Sequence, residues 1–200
     1  MFACTRKHVE YWDNGNKRLE FSTKGGKKHG YEKRWFQAGR FQSQFEYKRG
    51  QLHGTSTRWY FNGNKEREDQ YKYNLLNGIS TLWSENGTKS IQKEYKNDTL
   101  HGIYREWFDN GQIKVEGNHY KSMYHGTWIY YDPRGLKVGK GIFDKGTGVL
   151  KAFRSNGTLK REVHYENNRK NGEEVWYDSE GEIERRIVYK NDRIISTEIL

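Results

Sequence analysis

The sequence predicts an all-β protein, an elongated single-sheet antiparallel β-meander of 24-residue hairpin repeats with no helical domain, and three observations predict it. The first is glycine spacing. One series runs Gly30, Gly54, Gly78, Gly102, Gly126, Gly148 and Gly172; a second runs Gly15, Gly39, Gly63, Gly87, Gly111, Gly135, Gly157 and Gly181; both step by 24 with a single step of 22. Two series that share a period and its one slip mark a structural repeat. The second is an aromatic residue five places after every first-series glycine, at Trp35, Trp59, Trp83, Trp107, Tyr131, Phe153 and Tyr177. The third is Asn-Gly at Asn14-Gly15, Asn62-Gly63, Asn86-Gly87, Asn110-Gly111 and Asn156-Gly157, set between short runs rich in aromatic and β-branched residues, which signals hairpins.

Residues 1–10 form an N-terminal segment, and Tyr11 opens a truncated unit by taking the aromatic place ahead of Gly15. In each full unit a first strand leads to Asn-Gly, read as a type I′ turn with positive φ at both central residues. The second strand ends at an aromatic eight places after the second-series glycine: Tyr47, Tyr71, Tyr95, Phe143, Tyr165 and Tyr189, with Thr23 and His119 departing. A looser turn ending in His-Gly or Asn-Gly closes the unit. Alternation puts Thr55, Thr57, Trp59 and Phe61 on one face and Ser56, Arg58 and Tyr60 on the other. The unit at Lys145-Gly146-Thr147-Gly148 is two residues short, and residues 183–200, with Ile183, Ile187, Val188, Ile194, Ile195, Ile199 and Leu200, read as a cap or final strand covering the open end. At ~4.8 Å per strand, seven to eight units give a ribbon roughly 70 Å long, so residues 1–200 are expected to form a single repeat domain.

Composition agrees with a thin fold. Leu, Ile, Val and Phe make up under a fifth of the 200 residues, too few to line long buried helices or hydrophobic parallel strands. Yet 7 Trp, 15 Tyr and 9 Phe with a single Pro argue against disorder, so packing must be aromatic. No run approaches the ~20 apolar residues of a spanning helix, and one Cys excludes an internal disulfide framework.

The pattern of Gly, a Trp-Tyr or Trp-Phe pair, Asn-Gly, Tyr-Lys and Leu-His-Gly or Leu-Asn-Gly resembles the MORN repeat, and in particular its bacterial variant in YwqK-type antitoxins. It is fullest in HGTSTRWYFNGNKEREDQYKYNLLN from His53 and HGIYREWFDNGQIKVEGNHYKSMYH from His101, and it covers roughly Tyr11 to Tyr189. The resemblance implies a sheet used for binding, often to proteins and sometimes to membranes, with no catalytic residues and no cofactor.

Function therefore reads as a non-enzymatic protein-interaction or scaffold module, an antitoxin, immunity or assembly factor. Aromatic anchors dominate tight interfaces, which makes Trp35, Trp59, Trp83, Trp107 and Trp128 the partner-binding candidates. Trp128 stands off the template, whose place Tyr131 fills; it is the tryptophan least explained by the fold, and Trp128→Ala is expected to weaken partner binding more than stability. The row His29, His53, His101 and His125 is spaced about 10 Å per repeat, too far apart for ligands converging at ~2.0 to 2.1 Å on zinc, so no metal is expected. A net charge of +10 and the periodic Lys24, Lys48, Lys72, Lys96 and Lys190 suit edge protection first and an anionic surface second. Nucleic acid is disfavoured for want of any added binding motif. Phe2-Ala3-Cys4 resembles the end of a lipoprotein signal, making Cys4 a candidate lipidation site. The alternative is therefore a peripheral membrane or envelope lipoprotein, anchored through Cys4, in place of a cytoplasmic protein.

Overall fold

The protein is described here, through a computed structural model, over residues 4–200. Nineteen strands and no helix occur among them, and they fall into two compact units divided after Thr99. The first unit holds β1 (Thr5–Tyr11), β2 (Lys17–Lys24), β3 (Lys27–Lys28), β4 (Gly30–Trp35), β5 (Phe41–Lys48), β6 (Gln51–Leu52), β7 (Gly54–Trp59), β8 (Lys65–Lys72), β9 (Leu75–Trp83) and β10 (Lys89–Lys96). The second is made by β11 (Thr99–Trp107), β12 (Ile113–Tyr120), β13 (Met123–Tyr131), β14 (Lys137–Asp144), β15 (Thr147–Phe153), β16 (Leu159–Glu166), β17 (Arg169–Tyr177), β18 (Ile183–Lys190) and β19 (Arg193–Ile199). Within each unit, strands pair antiparallel with their chain neighbours, β3 and β6 being the first rungs of the β2·β4 and β5·β7 ladders. The expected all-β meander of hairpins is present.

The two turn types are exchanged relative to the sequence reading. At Asn62-Gly63 only the glycine has positive φ, 96°. Gly63 N donates to Tyr60 O at 3.0 Å, Tyr60 N donates to Asn64 O at 2.9 Å, and Asn62 Oδ1 accepts the Asn64 N–H at 2.9 Å. This is a type I turn closed by a left-handed glycine bulge, with the asparagine used for its side-chain oxygen rather than its tolerance of positive φ. Type I′ geometry lies at the opposite ends of the strands, in Tyr73-Asn74 (φ 54° and 69°), Asn97-Asp98 (50° and 61°) and Asn191-Asp192 (50° and 68°).

The glycines of the first series mark a second device. Between β8 and β9, Asp69 faces Ser80 and Tyr71 faces Leu76, so two steps on one strand oppose four on the other. The same two-residue excess occurs between β12 and β13 and between β16 and β17. Between β14 and β15 the ladder runs one to one from Gly139↔Ala152 to Asp144↔Thr147. The two residues missing from the short repeat are thus the bulge itself. Gly148 accordingly lacks the positive φ of its counterparts, and a Cβ there would lie 2.0 Å from the Ile142 carbonyl oxygen.

The core of the second unit is Val115, Trp128 and Phe143, with Tyr104, Tyr124, Tyr130, Leu150 and Tyr165 packed around them. Trp128 is 2% exposed, donates its indole N–H to Asn118 O at 3.1 Å, and lies where a Cβ on Gly117 would come within 2.2 Å of its ring. Tyr124 meets it edge-on at 4.7 Å and His119 at 5.0 Å. Burial this complete gives Trp128 a place in the core that the aromatic template does not explain. The aliphatic end is a final strand: β19 pairs with β18 and continues the meander, and its Ile194, Ile195 and Ile199, with Leu200, are exposed. Trp128→Ala should lower unfolding free energy by about 3–5 kcal/mol, as large aromatic truncations in a core do; a urea denaturation midpoint equal to wild type would contradict this placement.

Candidate functional site

The sheet face opposite Trp35 and Trp59 is set by the second residue after each first-series glycine: Glu32, Ser56, Ser80, Tyr104, Trp128, Leu150 and Glu174. In the second unit, large apolar side chains at Tyr104, Trp128 and Leu150 fill this column. Their counterparts in the first unit are small or polar, and Glu32, Ser56 and Ser80 are 2%, 4% and 2% exposed. Apolar filling is therefore absent between the flanking rings, and a groove of about 710 Å³ opens beside Phe45, Tyr47 and Arg58, with Phe36, Tyr60 and Phe61 at the hairpin end.

Strand register lays a row of cations across this groove. Arg34 faces Ser43, Ser43 faces Arg58, and Arg58 faces Arg67. Arg34 Nε donates to Glu32 Oε1 at 2.9 Å, and the Lys28 ammonium holds the other carboxylate oxygen. Arg67 Nε donates to Asp69 Oδ2 at 2.6 Å, while Ser80 donates to Oδ1 at 2.6 Å. Among the described residues Arg58 has no ion pair; its guanidinium lies over Phe45 at 5.8 Å. A second, smaller pocket of about 100 Å³ adjoins, lined by Phe45, Ser56, Arg58, Arg67, Asp69 and Tyr71. The Ser56 hydroxyl is buried there without a hydrogen-bond partner.

Burial alone would raise the Glu32 carboxyl; the hydrogen bonds and charges of Lys28 and Arg34 outweigh it and hold the group below the ordinary glutamate range. Glu174 repeats the arrangement in the second unit, with burial outweighed by Lys170, Arg161 and the Trp176 indole N–H. In both units the ammonium comes from four residues upstream.

The sequence candidates divide between the faces. Trp35, Trp59, Trp83 and Trp107 are half-buried. Phe41 stacks on Trp35 at 5.3 Å and meets Trp59 at 5.7 Å, while Lys17 and Lys65 lie over Trp35 and Trp83 at 5.5 and 5.4 Å. Trp35, Phe41 and Trp59 thus form one continuous row of rings in the first unit, and of the four indoles only Trp59 borders the groove. Trp128 belongs to the second unit's core, so the five tryptophans are not gathered into one site. His53 packs on Tyr73 at 5.2 Å and His101 on Tyr120 at 5.2 Å, and among the described residues no three metal-ligating side chains converge. Cys4 is exposed, as are Lys24, Lys48, Lys72, Lys96 and Lys190; Phe2 and Ala3 lie outside the described residues. Sequence reasoning missed Ser56, Arg58 and Arg67; writing the repeats in register exposes them as small or cationic residues where other repeats carry bulk.

Residues 52–73, 100–122, 147–167 and 170–191 match the family described as MORN repeat variant. No curated protein matches the chain. Among solved structures, a chain of the TcdB2-TccC3-Cdc42 crystal structure is 12% identical with a TM-score of 0.27, over 94% of this chain and 12% of its own length. The TcdB2-TccC3 structure gives the same values: 12% identity, TM-score 0.27, 94% of this chain and 12% of that one. This chain thus spans about an eighth of either, and a likeness that weak carries no inference.

The buried carboxylates generate a pH prediction. A depressed carboxyl stabilises the fold above the ordinary glutamate pKa of about 4.3, and that contribution is lost as pH falls through the folded-state value. Glu32→Gln should therefore flatten the acid limb of the stability-against-pH curve; an acid limb as steep as wild type in urea melts would count against a charged Glu32.

Proposed function

Taking the chain as a protein of MORN-variant repeats, we propose that it is a non-enzymatic protein-interaction module, acting as an antitoxin, immunity or assembly factor, with the first unit's groove as its contact surface. The observation that carries this reading is the difference between the two units at equivalent positions. Where the second unit packs its own tyrosines and Trp128, the first leaves rings and guanidinium groups exposed to an incoming side chain. Phe61 is 56% exposed and meets Phe36 edge-on at 5.4 Å, an aromatic anchor of the kind that dominates interface energetics. A second reading, attachment to an anionic envelope surface, draws support from the exposed lysines at the type I′ turn ends and from exposed Cys4.

The tagged full chain should capture a single stoichiometric protein from lysate of its native source, retained through a moderate-salt wash and lost with Phe61→Ser. Recovery only of lipid or nucleic acid, released as salt rises, would transfer the function to the positive charge and overturn the interaction reading.

A further inference from the structure

We propose that the small pocket of Ser56, Arg58 and Arg67 receives the carboxylate of an Asp or Glu side chain in an extended segment of the protein partner, with a neighbouring apolar side chain of that segment in the larger groove. The inference rests on the interaction reading and names the chemistry recognised. Three independent features point to an anion. Arg58 and Arg67 are directly cross-strand partners, an arrangement in which like charges repel. Arg67 is relieved by Asp69, whereas Arg58 has only the Phe45 ring beneath it. The Ser56 hydroxyl, in a residue 4% exposed, has no partner although it lines the same pocket, and an unmet buried polar group invites an acceptor or donor from a ligand.

Charge selects among anions. The ionised groups lining the small pocket are Arg58, Arg67 and Asp69, a net of one positive charge, which a single carboxylate neutralises. A phosphate carrying up to two charges would overshoot and approach Asp69. A nucleic-acid backbone would also meet Glu66 and Glu85 on the wall of the larger groove. Phe45 and Arg58 are shared by both cavities, so a carboxylate against Arg58 brings its neighbours toward Phe36, Tyr60 and Phe61. Arginine offers a carboxylate two parallel N–H donors, and the Arg58 guanidinium lies over the Phe45 ring at 5.8 Å, beside the pocket.

The test is selection of random linear peptides displayed on phage against the full chain, followed by titration of the best peptide as acid, as amide and with phosphoserine in place of the acidic residue. The expected motif is an acidic residue beside an aromatic or large aliphatic one. Affinity should fall about tenfold or more for the amide and for R58Q, as loss of a charge-assisted pair implies. S56A is the second variant: it removes a group unpaired in the free protein, so it should leave the melting temperature unchanged or raised while weakening the peptide several-fold. Enrichment without acidic residues, equal binding by R58Q, or tighter binding of the phosphoserine peptide would overturn the proposal. Failure to enrich any peptide would do so as well; a folded partner still captured from lysate and lost with Phe61→Ser would then leave the interaction reading standing.

Discussion

Within each unit, hydrogen bonds between turns hold one repeat to the next, and the rest of the structure depends on them. Asn62 and Asn64 both donate side-chain N–H groups to Glu85 O, at 2.7 and 2.9 Å, while Asn14 and Asn16 do the same to Gln37 O at 2.9 Å each. At the other ends of the strands, Asn74 N donates to Leu52 O at 3.0 Å and Asn74 Oδ1 accepts the Leu52 N–H at 2.7 Å; Asp98 does the same with Leu76 at 2.9 and 2.7 Å. A left-handed pair at each type I′ turn aims these groups at the preceding repeat. A chain poor in aliphatic residues can stay ordered this way because its repeats are fixed at both rims and need little interior bulk between them.

Between the rims, one side-chain column decides what each repeat does. Trp128 needs the space left by Gly117, and Phe143 that left by Gly141, where a Cβ would lie 2.3 Å from its ring. Large side chains there close the face over a dry cluster. Ser56 leaves room for a small pocket, Ser80 donates to Asp69, and the buried carboxylates of Glu32 and Asp69 are met by Lys28, Arg34 and Arg67 at hydrogen-bond distance. The same backbone thus supports an apolar core in one unit and a polar groove in the other.

How far the sequence reveals this follows from physics. Fold class, strand positions and the hairpin period are legible because glycine and aromatic residues are demanded at fixed backbone and packing positions. The exchange of turn types is not, since Asn-Gly satisfies both a type I′ turn and a type I turn with a glycine bulge, and only the Tyr60 to Asn64 geometry separates them. Trp128 misleads because the aromatic template hides a second column two residues after each glycine; the unscheduled Gly117, Gly139 and Gly141 are the signal that something large lies opposite. The groove is least legible, because its defining residues are small or charged and only register brings Arg34, Arg58 and Arg67 into line.

The two-residue bulge gives the repeat an arithmetic of tolerated length. Strand faces alternate with a period of two, so an insertion or loss of two residues leaves every downstream side chain on its own face, whereas a change of one would turn the whole remainder inside out. The short repeat at Gly148 shows the even change accepted, with its ladder running unbroken from Gly139 to Asp144. Such a chain can vary its units in paired steps, shedding or regaining the bulge, while the inner column and the rim hydrogen bonds of the neighbouring repeats keep their places.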